Sequence, residues 1–257
     1  MNRKETIFSL KDIHVEVEGK EVVRGVSLDI GPGEKHAIMG PNGSGKSSLA
    51  NALAGHPGYR ITSGEAWLDG HNLLEMDATQ RSLAGLFLCF QYPLAIPGVT
   101  VANFLRAAIK ARHGDDSDEI RNFRTELKAS FGLLEIDRAF ATRYLNDGFS
   151  GGEKKRLEIL QMAMLKPKMA ILDETDSGLD IDALKIVSNG ILKSAPADGG
   201  VLLVTHYQRM LNYIKPDHVH VMINGRFARS GGAGLALQVE DQGYDWLNGK
   251  KTAEVGV

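Results

Sequence analysis

Cysteine is nearly absent, with Cys89 the single one in 257 residues. A disulfide within the chain is excluded, and no second thiol exists for a zinc or cluster motif, which fits a reducing compartment. Long apolar runs are missing too. The densest, Leu86-Phe-Leu-Cys-Phe90, falls far short of the roughly 20 residues a membrane span needs, and it is expected to be a buried strand with Cys89 in the core. Arg3, Lys4 and Glu5 mix with Ile7 and Phe8 at the N-terminus without a long apolar core, so no secretory signal is expected. Neither sign of charge dominates: 30 basic and 32 acidic residues leave a net charge of -2, spread along the chain, and nucleic acid is not an expected partner. A cytoplasmic location is the default that these absences leave. What is present, 43% hydrophobic and 24% charged residues, suffices to bury a substantial core, as one large domain or two coupled lobes.

The first part of the chain alternates like strands. Val15 and Val17 share a side, Val22 and Val23 follow the turn Glu18-Gly19-Lys20, and Val26, Leu28 and Ile30 come next, predicting an antiparallel entry. After the turn Gly31-Pro-Gly33, the apolar His36-Ala-Ile-Met39 runs into a glycine loop, and Ser48 to Ala54 has helical composition ending at Gly55. In the middle, Val101, Phe104, Leu105, Ala108 and Ile109 follow helical spacing, as do Ile120, Phe123, Leu127 and Phe131, across the acidic link Gly114 to Asp118. From Met169 onward, the runs Met169–Leu172, Val201–Val204 and Val219–Ile223 alternate with helical segments, as in a largely parallel, buried sheet.

Three motifs carry chemistry. Gly40-Pro-Asn-Gly-Ser-Gly-Lys-Ser47 matches G-x-x-x-x-G-K-[ST] between a strand and a helix. Gly40, Gly43 and Gly45 let backbone N–H groups converge on phosphates, Lys46 neutralises their charge, and Ser47 offers a hydroxyl to Mg2+. Pro41, Asn42, Ser44 and Ser48 complete the expected nucleotide contacts. Met169 to Glu174 delivers two adjacent carboxylates to a strand end; Asp173 suits the outer coordination of Mg2+, and Glu174 suits polarising the attacking water. Ser150-Gly-Gly-Glu153 precedes a helix with Lys154, Lys155 and Arg156 in its first turns. It reads as a second anion site at a helix N-terminus, or as an ordinary cap at Ser150.

Ser150 to Glu153, placed between the loop and the acidic strand, resembles the signature of the ATP-binding-cassette (ABC) ATPases. That resemblance implies an α/β nucleotide-binding domain: a P-loop, RecA-like core sheet with an antiparallel β subdomain and an inserted helical subdomain. It also implies roles. Gln91 corresponds to a glutamine that senses Mg2+, Ser177-Gly-Leu-Asp180 to the D-loop, and His206 to a histidine that contacts the γ-phosphate. Ser150, Gly151, Gly152 and Glu153 would contact ATP held by a second copy, in a transient ATP-dependent dimer. The whole chain, 1–257, would be one ABC domain, with 1–91 and 166–257 as core and 92–165 as helical subdomain. ATP and Mg2+ are the expected cofactors, with Ser47, Gln91 and Asp173 around the metal.

Narrower stretches, Phe90 to Gly98, Gly148 to Arg156, Glu174 to Leu184, Thr205 to Arg209 and Gly243 to Trp246, resemble the SufC-type ATPases of the SUF iron–sulfur cluster assembly system. Partners of the SufB and SufD scaffold type, and no direct membrane insertion, are what this resemblance implies. Glu153 in place of Gln and Thr175 in place of Pro depart from the general cassette pattern and match that narrower group. Val17 stands near where an aromatic normally stacks on adenine. Neither Cys89 nor the eight histidines show a recognisable iron-ligand spacing. The rival readings are the ATPase subunit of a membrane transporter and a DNA-handling cassette ATPase, the latter disfavoured by a short insert without coiled-coil or zinc motifs.

Overall fold

The computed structural model describes residues 6–248; Arg3, Lys4 and Glu5 lie outside them, as does 249–257. In chain order, β1 (Phe8–Val17), β2 (Lys20–Ile30) and β3 (Lys35–Met39) precede α1 (Lys46–Ala54), followed by β4 (Arg60–Leu68), β5 (His71–Asn72), α2 (Ala78–Leu83) and β6 (Leu86–Cys89). The middle holds β7 (Ile96–Thr100), α3 (Val101–His113), α4 (Asp118–Leu133), β8 (Tyr144–Leu145) and α5 (Gly151–Leu165). Then come β9 (Met169–Asp173), α6 (Ile181–Ser194), β10 (Gly200–Val204), α7 (Gln208–Ile214), β11 (His218–Ile223), β12 (Arg226–Gly231) and α8 (Gly234–Gln242).

An antiparallel sheet of order β2-β1-β4-β5 forms the entry. Glu18 and Gly19 close its first hairpin with φ of 49° and 77°, the left-handed backbone that matches strand twist in two-residue turns. The register of β1 slips between Leu10 and Ile13, where Asp12 has φ 48°. The extra residue changes the phase of the strand: Phe8 and Leu10, then Ile13 and Val15, face the core.

The main sheet has the order β12-β11-β3-β10-β9-β6 and is parallel except for the pairing of β12 with β11. Every residue of β9 and β10 is buried, because helices cover one face and the antiparallel sheet with α1 covers the other; such strands read as continuous apolar runs. Ile38, Ile171, Leu202 and Met222 pack toward α1 and the antiparallel sheet. Ala37, Met39, Leu172, Leu203 and Val221 pack with residues of α5, α6 and α7. The carboxyl ends of β3, β10, β9 and β6 therefore lie side by side, the edge where open α/β sheets gather ligands.

Between β6 and β9, Thr100 caps α3 and Ser117 caps α4, and Phe123, Leu127 and Phe131 bury the inner side of α4. The acidic link is partly tied down, with Lys110 Nζ 2.6 Å from Asp115 and Arg121 donating to the Asp116 carbonyl at 2.5 Å. Cys89 is fully buried, as expected, and burial pushes its thiol well above the usual range. Phe90 departs from the expectation of a buried strand. The strand ends at Cys89, and Phe90 is 47% exposed because its N–H donates to Glu158 Oε1 at 3.0 Å instead of continuing the ladder.

Candidate nucleotide site

The loop from Gly40 to Ser47 passes so close to β11 at Gly40 and to β2 at Gly45 that a side chain is sterically barred at these two positions. A Cβ on Gly40 would sit 2.2 Å from the Met222 carbonyl oxygen, and one on Gly45, at φ 105°, would sit 2.8 Å from the Val22 carbonyl oxygen. The loop opens α1, which places it at the positive end of the helix dipole. Lys46 is buried and donates to the carbonyls of Gly40 at 2.8 Å and Pro41 at 3.0 Å. Burial lowers its pKa, while the charges of Glu174 and Asp173 raise it. A cavity of about 210 Å³ lies over the loop, lined by Asn42, Gly43, Gly45, Lys46, Ser47, Ser48, Gln91 and Glu174.

The strand ends supply the other wall. Ser47 Oγ donates to Asp173 Oδ1 at 2.9 Å, joining the start of α1 to the end of β9. Burial pushes the Asp173 carboxyl up to about 6 against the Ser47 hydrogen bond. Glu174 follows with φ 46°, a conformation uncommon outside glycine, and its N–H donates to the Val204 carbonyl at 2.8 Å. Gln91 Nε2 donates to Glu174 Oε2 at 2.5 Å. His206 Nδ1 lies 3.4 Å from Glu174 Oε1, and this buried nitrogen has no hydrogen-bond partner among the described residues. Ser44 Oγ is likewise buried without a partner. A phosphate-sized cavity lined by the Lys46 ammonium, the Ser47 hydroxyl and the glycine backbone fits a nucleotide's phosphates. Ser47, Asp173 and Gln91 offer the oxygen donors that Mg2+ prefers.

Ser150 to Glu153 is not brought to this cavity. Ser150 Oγ accepts the Glu153 N–H at 3.3 Å and the Ser150 N–H donates to Glu153 Oε2 at 2.7 Å, a capping box at the start of α5. Ser150 and Gly151 are exposed, and a Cβ on Gly152 would meet Leu179 Cδ2 at 3.8 Å, so the segment 177–180 lies beside this motif. Asp180 caps α6 through the Ala183 N–H at 2.7 Å.

Lys155, one of three basic residues that follow Ser150 to Glu153, turns inward. It is buried, and its Nζ donates to the carbonyls of Phe90 at 2.9 Å and Gln91 at 3.0 Å. With Glu158, which accepts the Phe90 N–H, it holds the segment carrying Gln91. Sequence spacing gives no sign of this, since 64 residues separate Lys155 from Gln91. Asp176 was also missed. It accepts from Thr205 Oγ1 at 2.6 Å, and Thr205 Oγ1 accepts the Tyr207 N–H at 2.9 Å, which fixes the turn that presents His206. Burial raises the Asp176 pKa.

Residues 23–177 match the family model described as ABC transporter. The chain is 57% identical to vegetative protein 296 of Bacillus subtilis over 93% of its own length and 92% of that protein. It is 49% identical to a probable ATP-dependent transporter of Synechocystis over 98% and 99% of the two chains. Its fold superposes on a dimeric, post-hydrolysis ATP-binding cassette bound to ADP and Pi with a TM-score of 0.74 at 22% identity, covering 88% of this chain and 98% of that one. With a phosphate loop, an acidic strand end and a covering glutamine in one site, this chain belongs to the ABC transporter family as an ATP-binding and ATP-hydrolysing cassette domain.

Proposed function

We propose that this chain is the cytoplasmic ATPase of a SUF-type iron–sulfur cluster assembly machine, a SufC-type subunit that drives conformational change in SufB- and SufD-type scaffolds. The observation that carries the reading is the surface around Gln91. Tyr92 and Leu94 are 79% and 82% exposed at the mouth of a cavity of about 630 Å³ that runs past Gln91 to Ser47 and Asp173. A partner seated there touches the segment whose glutamine holds Glu174. No helix among the described residues is long and apolar enough to cross a membrane, so motion of residues 92–165 is handed to a separate protein. The narrower sequence likeness of Phe90 to Gly98 and of Glu174 to Leu184 supports the choice of scaffold.

In this reading two copies close over ATP. Lys46 binds the β- and γ-phosphates, Glu174 orients the attacking water, and His206 supports the charge that develops on the transferred group. Ser150 and Gly152 present the N-terminus of α5 to the other copy's nucleotide. Ser47, Asp173 and Gln91 would hold Mg2+, which when bound neutralises charge on the phosphates.

The competing reading is the ATPase subunit of a membrane transporter, which the Synechocystis relative, named a probable ATP-dependent transporter, favours. Affinity purification from the native cell separates the two. A SufB- or SufD-type scaffold is the expected partner, and an integral membrane permease in its place overturns the proposal.

A further inference from the structure

A second cluster of chemistry-bearing side chains sits at the other end of β3. This strand runs parallel to β11 with His36 directly opposite His218. Opposed residues of neighbouring strands stand about 4.8 Å apart, and the two imidazole centroids are 4.7 Å apart. Glu34 precedes His36 by two positions and His220 follows His218 by two, so the period of the strand brings all four to one face. One ligand atom each from Glu34, His36 and His218 lie within 4.8 Å of one another. His36 is buried, Glu34 half-buried and His218 exposed, which leaves an approach from solvent.

We propose that Glu34, His36 and His218 bind one divalent first-row transition-metal ion. Two imidazoles and a carboxylate are the donor set of Zn2+ and similar borderline ions, whereas Mg2+ takes oxygen ligands. Supporting groups are in place. His36 Nε2 lies 3.3 Å from Glu34 Oε2, His36 Nδ1 lies 3.1 Å from His220 Nε2, and His220 Nδ1 lies 2.8 Å from Ser230 Oγ. With His36 Nε2 given to the ion, its Nδ1–H donates to His220 Nε2, and the His220 Nδ1–H donates to Ser230 Oγ. His36 and His220 then keep both ring nitrogens satisfied, the arrangement that orients metal-ligating histidines. The Gly31 N–H donates to Glu34 Oε2 at 2.8 Å and fixes the carboxylate.

The site is separate from the nucleotide cavity, since β3 advances about 13 Å from His36 to Gly40 at the usual rise per residue. An ion bound there links the starts of β3 and β11, and because the unfolded chain lacks the register that builds the site, binding stabilises the fold.

The test uses the full-length, tag-free, metal-stripped chain, titrated with Zn2+ against a chromogenic chelator in excess Mg2+. Co2+ serves as an optical reporter of nitrogen ligation. One Zn2+ per chain is expected, with a higher melting temperature. His218→Ala, at an exposed position, is expected to weaken Zn2+ binding more than about tenfold, the size of loss that even supporting groups bring. It should abolish the melting shift and the Co2+ spectrum while leaving metal-stripped ATPase activity in Mg2+ unchanged. Glu34→Gln should weaken Zn2+ binding in the same way. Absence of stoichiometric binding overturns the proposal, as does wild-type Zn2+ affinity in both variants.

Discussion

Gln91 Nε2 donates to Glu174 Oε2 at 2.5 Å across 83 residues of sequence, so the residue that opens the exposed segment Tyr92 to Leu94 is joined to a carboxylate lining the cavity over the phosphate loop. Displacing Tyr92 to Gly98 is therefore expected to act on Glu174 through Gln91 rather than through the phosphate loop. ATP binding and hydrolysis are expected to respond separately to substitution.

Glu174→Gln keeps the shape and the Gln91 contact region but removes the charge proposed to orient water. ATP affinity is expected to stay near wild type, while the hydrolysis rate falls by about 10²- to 10⁴-fold, the range of general-base contributions. Closed pairs should accumulate. Lys46→Ala is expected to lose ATP binding itself, because the buried ammonium is the loop's only side-chain charge. Equilibrium nucleotide binding and single-turnover hydrolysis measure the two effects, and normal turnover in Glu174→Gln would remove Glu174 from the mechanism.

Lys155 supports the same grip from below. Lys155→Met leaves the carbonyls of Phe90 and Gln91 without their donor and strips the nearest cation from buried Glu158, whose Oε2 lies 3.9 Å away. Breaking a buried pair from one side costs about 3–5 kcal/mol. The double variant Lys155→Met, Glu158→Gln is expected to recover part of that loss. Urea unfolding of the two variants checks this, and equal stability would show that Glu158 does not depend on Lys155.

Glu158 also gives the fold a pH dependence of defined sign. Burial raises its carboxyl from 4.5 to about 7, so the folded chain binds more protons than the unfolded chain between those values. Its contribution to stability is full below pH 4.5 and is lost as pH rises through about 7. His220 acts oppositely, because burial pushes it from 6.5 down to about 4 and its contribution grows as pH rises through that window. The difference between wild type and Glu158→Gln isolates the first effect. Unfolding free energies across pH 5–8 should show that Glu158→Gln removes a component that declines with pH, and identical slopes would contradict it.

Local pattern made much of this legible. The loop from Gly40 to Ser47 and the apolar run ending at Asp173 and Glu174 are contiguous, and the i, i+4 spacing of Phe123, Leu127 and Phe131 is a property of one helix. What stayed hidden depends on register between distant strands or on side chains crossing the fold. Lys155 reads as a basic residue near a helix start until α5 turns it inward to the Phe90 and Gln91 carbonyls. Phe90 reads as core until Glu158 takes its N–H. His36 and His218, 182 positions apart, show no ligand spacing in sequence, and only the pairing of β3 with β11 sets them side by side. The phase change at Asp12 is hidden for the same reason, since a bulge is defined by the partner strand.

Ser150 offers a way to separate a cap from an anion site. As a cap, its hydroxyl accepts the Glu153 N–H, and replacement by Ala costs about 0.5–2 kcal/mol. Asp is as good a cap as Ser, and its carboxylate suits the helix dipole, so Ser150→Asp should leave α5 and the melting temperature close to wild type. That same carboxylate would face the phosphates of a second copy's ATP, where like charges repel. Ser150→Asp is therefore expected to bind ATP normally through its own Lys46 and yet fail to form the closed pair or to hydrolyse ATP cooperatively. Light scattering in the Glu174→Gln background reads the pairing, and calorimetry reads the stability. Wild-type pairing with wild-type stability would reduce Ser150 to a helix cap and remove the shared nucleotide from the cycle.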